Sequence, residues 1–407
     1  MSEYHPLSLE EAVALARTIP GHFRQDADLS VEEIGDGNLN LVFRITDPSE
    51  GKGLIIKQAL PYAKVVGESW PLSLDRARIE REALEIQHSY VPDLVPAIYA
   101  YDNDLAITVM EDLSDHTIMR KGLIEGQEYP QFAKHIGRFI ASTLFYTSDL
   151  GMNQQAKKEQ LGRFINPDLC KITEDLIFED PYRDSPNNSF SEDIRPNAEA
   201  LWHDDELRLE IALLREKFLT HAEALLHGDL HTGSIFATRE STKVIDPEFA
   251  YYGPMGFDIG AVIANLLLNF AAQPGWSGNS DELNARRHRL LVMIEGVWRH
   301  FETHFRDLWN RDLVDVTAKT PGYQDMYVQK ILRDAIGFAG AKMIRRIVGL
   351  SHVADVDTIP DAELQHQAKV TALKIGKALV KRGRFASSID EITGIARQAA
   401  KEEEVTV

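Results

Sequence analysis

Two short strings in this chain carry acidic residues at a spacing suited to moving a phosphoryl group. Leu226-His227-Gly228-Asp229-Leu230-His231-Thr232-Gly233-Ser234-Ile235-Phe236 comes first, and Lys243-Val244-Ile245-Asp246-Pro247-Glu248 follows shortly after it. Phosphoryl transfer takes one carboxylate to orient the attacking hydroxyl and accept its proton, and one or two more to hold the divalent cation that bridges the phosphates. Asp229 suits the first task, Asp246 and Glu248 the second. A hard cation such as Mg2+ takes oxygen ligands, and two carboxylates two residues apart after an apolar strand point to the same side. His227 and His231 raise the competing reading of a zinc pair. Zinc pairs at that spacing sit on a helix, however, and Gly228 and Gly233 predict a loop.

A triphosphate needs a cradle of its own. Ile34-Gly35-Asp36-Gly37-Asn38-Leu39-Asn40-Leu41-Val42-Phe43 is a glycine-rich turn between apolar runs, where Gly35 and Gly37 let backbone amides approach phosphates closely. An ordinary hairpin is the competing reading of the same residues. Asn40 stands where a protein-kinase loop has its third glycine, with an amide able to contact a phosphate or hold the loop. Leu54-Ile55-Ile56-Lys57 ends an apolar strand on a lysine, the position from which a kinase lysine reaches the phosphates of ATP. A helical pattern over 74–86 then offers Glu80, Glu82 or Glu85 as its partner, with nothing in the spacing to choose among them.

The elements that must position these residues fall into two groups. From Val31 to about Leu113 the chain reads as short strands, at Leu41–Ile45, Leu54–Ile56 and Leu105–Met110, divided by turn residues and interrupted by the one helix. Beyond Leu113 it turns to long amphipathic segments at 132–146, 206–219, 259–270, 290–305 and 328–350. The expectation is an α+β chain in two lobes: residues 1–112 as a small antiparallel-sheet lobe for the nucleotide, residues 113–407 as a larger, mainly helical lobe. The stretch 180–196 reads as a loop, and the charged tail 401–407 as frayed.

Composition narrows the partners. A net charge of -19 argues against nucleic acid or an anionic membrane, both of which need a clustered basic surface. Glu3, Glu10 and Glu11 stand where a signal peptide needs positive charge. The most apolar run, 259–272, is shorter than the roughly 20 residues a bilayer requires and reads as a core helix. One cysteine, Cys170, forms neither an internal disulfide nor a thiolate metal cage, which suits the reducing cytoplasm.

The string beginning at His227 resembles the Brenner motif of the aminoglycoside phosphotransferase and choline kinase superfamily, which shares the protein-kinase fold. Most of that superfamily has Asn five residues after the aspartate; this chain has Ser234, and it has Asp246-Pro247-Glu248 where protein kinases have Asp-Phe-Gly. Both departures are similar to the pattern of the 5-methylthioribose kinases. So are the Gly35-Asp36-Gly37-Asn38-Leu39-Asn40 turn, a loop around Trp70, Met110 to Leu113, and Arg345-Arg346.

The resemblance implies a protein-kinase-like fold in which Asn40 and Lys57 contact ATP. A hinge at Glu111, Asp112 and Leu113 holds adenine by its main chain, and Asp246, Pro247 and Glu248 complete the nucleotide side. It implies Mg2+ on Asp246 and Glu248, with Ser234 in the metal set, Asp229 as base and substrate contact, and a homodimer. Arg345 and Arg346, about 100° apart on a predicted helix, fall beside the sugar and the transferred phosphate, where guanidinium groups offset charge and repel a polycationic aminoglycoside. The expected reaction is ATP-dependent phosphorylation of the anomeric hydroxyl of 5-methylthioribose, a step of methionine salvage. The alternatives are a kinase of an aminoglycoside, choline or homoserine, and a catalytically silent nucleotide-binding protein.

Overall fold

A computed structural model describes residues 4–34, 39–63 and 67–406 of the chain. Gly35 and Gly37 lie outside the described residues, as does the side chain of Trp70.

The small lobe is built on a five-stranded antiparallel sheet, in spatial order β1 (Ser30–Glu33), β2 (Asn40–Asp47), β3 (Lys52–Ala59), β7 (Ile107–Glu111), β6 (Ile98–Asp102). A ribbon of β4 (Tyr62–Ala63) and β5 (Gly67–Pro71) follows β3. Two-residue alternation decides what each strand faces. On β3, Leu54 and Ile56 turn to one side and pack with Phe43, Ile45, Ile107 and Val109 against Ala12 and Ala16 of α1 (Leu9–Arg17). Lys57 therefore leaves on the opposite face, toward the large lobe. The sequence reading placed no element ahead of Val31. Ser8 and Glu11 nevertheless form a reciprocal cap, the Ser8 amide donating to Glu11 Oε2 at 2.8 Å, and start α1 there.

Helix α2 (Asp75–Tyr90) crosses behind the sheet and carries the charged groups that face Lys57. Its C-terminal end, with Leu84 and Val91, joins the core of the large lobe together with Leu94, Val95 and Met110. The lobes are thus seamed by shared apolar packing as well as by the chain.

The large lobe is helical, organised by the helices Phe132–Tyr146, Gly256–Trp276, Ser280–Asp312, Tyr323–Val348 and Ala362–Gly383. The apolar run at 259–272 extends into a helix of 21 residues, so length alone no longer argues against a bilayer. Its complete burial does: it is the central helix of the lobe. The helix Asp390–Thr406 carries regular structure through the tail that composition marks as frayed. The segment 180–196 is not an open loop either: buried Asp180 accepts hydrogen bonds from Ser185 (2.7 Å), Arg183 (2.9 Å) and Asn187 (3.0 Å) and closes it into short helical turns.

Candidate active site

The string that begins at Leu226 forms a loop between the strand Ala224–Leu225 and a short 3-10 turn at Thr232–Ser234. Two features hold its backbone. Asp258, in the first turn of the central helix, accepts from the amides of His227 (2.7 Å) and Gly228 (3.0 Å). His227 donates from Nε2 to the Ile245 carbonyl (2.8 Å) and accepts on Nδ1 from the Asp229 amide (3.3 Å), which fixes a neutral tautomer. The histidine therefore ties the two acidic strings together and is spent on that task, which removes it from a zinc pair.

Gly228 has φ of +85°, and a Cβ there would lie 2.1 Å from the Phe249 carbonyl oxygen. Gly228→Ala is expected to cost about 1–3 kcal/mol from backbone strain alone and to displace Asp229. Urea unfolding together with the turnover rate reads this; an unchanged midpoint with an unchanged rate contradicts it.

Asp229 is held from two sides. Lys342 Nζ stands 3.4 Å from Oδ1, and His231 Nε2 lies 3.3 Å from Oδ2. Because His231 Nδ1 accepts from the Gly233 amide (3.0 Å), its Nε2 carries the hydrogen and donates to the carboxylate. Burial pushes His231 down to about 4, so this donor is uncharged at neutral pH. Burial likewise opposes the charge on Asp229, but His231, Lys342 and Arg346 outweigh it and hold the carboxyl well below the usual range. Lys342, packed 4.2 Å above the Phe257 ring, is driven by burial down to about 8, with Asp229 opposing that shift.

The paired arginines part company. Arg346 is buried and donates to the Ser351 carbonyl (3.3 Å), the Ser351 hydroxyl (3.0 Å) and the His352 carbonyl (3.2 Å), anchoring the turn that ends its helix. Arg345 is half-buried, makes no ion pair among the described residues, and is lowered by burial against the opposing pull of the Asp229 charge. Of the two, Arg345 is the guanidinium left for a ligand.

On the facing wall Lys57 Nζ contacts Glu80 (2.7 Å) and Asp246, which settles the open choice of partner on α2. Glu82 instead pairs with Arg78 (3.1 Å) and Arg163 (2.9 Å), and Glu85 with Arg81 (2.9 Å). Asp246 has φ of 69°, a left-handed conformation uncommon outside glycine, and turns its carboxylate back toward Lys57 just ahead of Pro247. Glu248 Oε2 lies 3.4 Å from Asn40 Nδ2 and 3.3 Å from Arg76 Nε.

Oxygens of Glu80, Asp246 and Glu248 gather within 4.8 Å of one another, an all-oxygen donor set that suits Mg2+ and not zinc. The residues present therefore fit a hard divalent cation. Ser234 is buried and brought to the same loop, but its hydroxyl already donates to the Asp229 carbonyl (3.3 Å) and neighbours His231 Nδ1 (3.3 Å).

The hinge side chains are occupied. Glu111 pairs with Lys243 (3.2 Å) and Asp112 with Arg44 (2.9 Å), while Leu113 is buried, leaving main chain as what a base can meet there. Arg76, Lys342 and Asp258 are the site residues that the sequence reading missed. Arg76 lies one helical turn before Glu80, and Lys342 three and four residues before the arginine pair, so i to i+4 spacing from a recognised residue was the available signal.

Two acid-lined walls, a lysine–glutamate pair on the sheet side and a carboxylate loop on the helical side define a bilobal phosphotransferase. Residues 30–287 match the phosphotransferase enzyme family. The choline kinase of Cryptosporidium parvum Iowa II shares the protein-kinase-like fold, with a TM-score of 0.51 at 16% identity over 93% of this chain and 98% of that one. Methylthioribose kinase of Geobacillus sp. (strain WCH70) is 53% identical over 97% of this chain and 96% of its own. That of Bacillus pumilus (strain SAFR-032) is 48% identical over 98% and 99%. This chain belongs to that family, the methylthioribose kinases.

Proposed function

We propose that the cleft transfers the γ-phosphoryl group of ATP to the anomeric hydroxyl of 5-methylthioribose, yielding the 1-phosphate and ADP in methionine salvage. Residues 1–112 act as the nucleotide-side lobe and 113–407 as the acceptor-side lobe. The observation that carries the reading is Asp229, a carboxylate held by Lys342 at 3.4 Å and His231 at 3.3 Å, on the loop opposite the Lys57–Asp246 pair. The sugar oxygen attacks the γ-phosphorus, its proton passes to Asp229, and the bond to the β–γ bridging oxygen breaks with the electron pair leaving on ADP. Lys57 steadies the triphosphate, Asn40 contacts it together with Gly35 and Gly37, and main chain at 111–113 receives the adenine. Asp246 and Glu248 would hold Mg2+, with the Ser234 hydroxyl as a further oxygen of that set. When bound, that cation screens the charge of the phosphates.

The cations around Asp229 favour an acceptor without positive charge, which weighs against choline or an aminoglycoside. Retention of Lys57, Asp229, Asp246 and Glu248 together weighs against a silent nucleotide-binding protein. The family likeness alone supports a cytoplasmic homodimer. A coupled ADP-release assay across methylthioribose, ribose, choline, homoserine and kanamycin tests the substrate. Turnover on methylthioribose above all others is expected, and turnover confined to one of the last three overturns it.

Arg345→Ala tests the acceptor side. A guanidinium with no ion-pair partner among the described residues serves the substrate or the moving phosphate, so its loss is expected to lower kcat/KM for the sugar by about 10²–10³-fold with the KM for ATP little changed. An unaltered kcat and sugar KM would return Arg345 to a solvated helix face.

A further inference from the structure

Arg76 opens α2, and its side chain is 2% exposed. The guanidinium gathers groups from three segments that are remote in the chain. Nη1 donates to the carbonyls of Leu60 (2.8 Å) and Ser73 (3.3 Å), and Nη2 to the carbonyl of Leu39 and to Asn40 Oδ1 (3.3 Å). Its Nε lies 3.3 Å from Glu248 Oε2, the same oxygen that Asn40 Nδ2 approaches at 3.4 Å.

We infer that Arg76 is a positioning residue of the metal site, which sets Glu248 of the large lobe and Asn40 of the nucleotide strand in one fixed arrangement. The inference rests on the assignment of Glu248 to Mg2+ and of Asn40 to ATP. Neither residue is placed by its own element alone. Asn40 begins β2, and its amide has two ends of opposite hydrogen-bonding sense. Arginine only donates, so Arg76 compels Oδ1 to face it and thereby turns Nδ2 toward Glu248. Binding the carbonyls of Leu39 and Leu60 fixes the residues flanking β2 and β3, from which Asn40 and Lys57 project.

The contact with Glu248 differs in kind from the others. Among the described residues Arg76 Nε has no hydrogen-bond partner, although it is buried at ion-pair distance from Oε2. Both approaches to that oxygen are long, so the carboxylate is kept in place by charge while its lone pairs stay available to a cation. A guanidinium serving only to staple the fold would be saturated by carbonyls; this one reserves an edge for the acid. A lysine in its place would supply one charge but not the fork that reaches Leu39, Leu60, Asn40 and Glu248 at once.

Mn2+ in the presence of the non-hydrolysed analogue AMP-PNP, without sugar, is the probe. Free Mn2+ is read by its EPR signal against a protein-free nucleotide control. Glu248→Gln and Arg76→Met are each expected to weaken Mn2+ about 10- to 100-fold, as loss of a ligand's supporting partner does, with Arg76→Lys in between. Affinity of the Arg76 variants for AMP-PNP in EDTA is expected to fall by a smaller factor than that for Mn2+, because Asn40 loses its partner while Lys57 and the main chain at 111–113 remain. If Glu248→Gln leaves Mn2+ unaffected, the metal assignment itself falls, and the role of Arg76 with it. If Glu248→Gln weakens Mn2+ but the Arg76 variants match wild type, this inference alone is overturned. Should Arg76→Met lack a cooperative unfolding transition, Arg76→Lys decides: wild-type Mn2+ affinity there refutes the positioning role.

Discussion

Asp229→Asn should lower turnover by about 10²–10⁴-fold, the usual share of a general base, and leave ATP affinity near wild type. The amide is nearly isosteric with the carboxylate, but its sites do not match it chemically. Lys342 and His231 both donate to Asp229, at 3.4 and 3.3 Å. An asparagine must turn its NH2 against one of these donors, and it has no charge with which to hold Lys342. Asp229→Ala removes the clash together with the base, so a loss of similar size in both variants points to the missing proton acceptor and not to repulsion. Single-turnover rates, alongside nucleotide binding measured separately, make the distinction. Near-normal turnover in either variant would remove Asp229 as the base.

The charge state of Asp229 gives this expectation a pH dependence. Its folded-state carboxyl sits well below the ordinary range, so the stability it contributes is present above the ordinary carboxylate pKa and is lost as pH falls through the folded value. Asp229 is consequently ionised throughout the neutral range. Lys342, at about 8, is the neighbour that changes charge within reach of neutrality.

The chemistry was legible in the sequence to the extent that it sits in contiguous strings. Asp229, Asp246 and Glu248 stand out because the two carboxylates proposed to hold the metal follow one short strand and the loop is punctuated by glycine. The lobes were legible because the hydrophobic period changes from two to 3.6 near residue 113, and that period is a local property. The residues left open or missed act across distance. Glu80, Glu82 and Glu85 are equivalent on the sequence, and only the crossing of α2 behind β3 puts Glu80 against Lys57 while its neighbours meet arginines. Lys342 reads as one more charge on a helix until packing against Phe257 buries it beside Asp229. The arginine pair was found as a unit, yet its members differ because one faces the turn after the helix and the other the cleft.

Lys57→Met should damage activity and stability together, and the pH dependence of the second effect separates the causes. Without the ammonium the triphosphate loses a fixed charge, a deletion expected to cost about 10²–10³-fold in turnover. Glu80 and Asp246 also lose the cation they share, and breaking a buried pair by removing one partner costs about 3–5 kcal/mol. Glu80 has a way to relieve part of that cost. Burial already pushes it up to about 7, against the downward pull of Lys57, and removing that pull raises it further. A carboxyl whose folded pKa is raised contributes stability that is complete below its unfolded pKa and is lost as pH rises through the folded one. The deficit of Lys57→Met relative to wild type is therefore expected to be smaller at pH 6, where Glu80 is protonated in the variant, and larger at pH 8. Urea unfolding of both proteins at the two pH values reads the difference. A deficit independent of pH would mean that Glu80 does not carry the unpaired charge. A variant as stable as wild type at pH 8 would mean that the pair with Lys57 contributes nothing to the folded state.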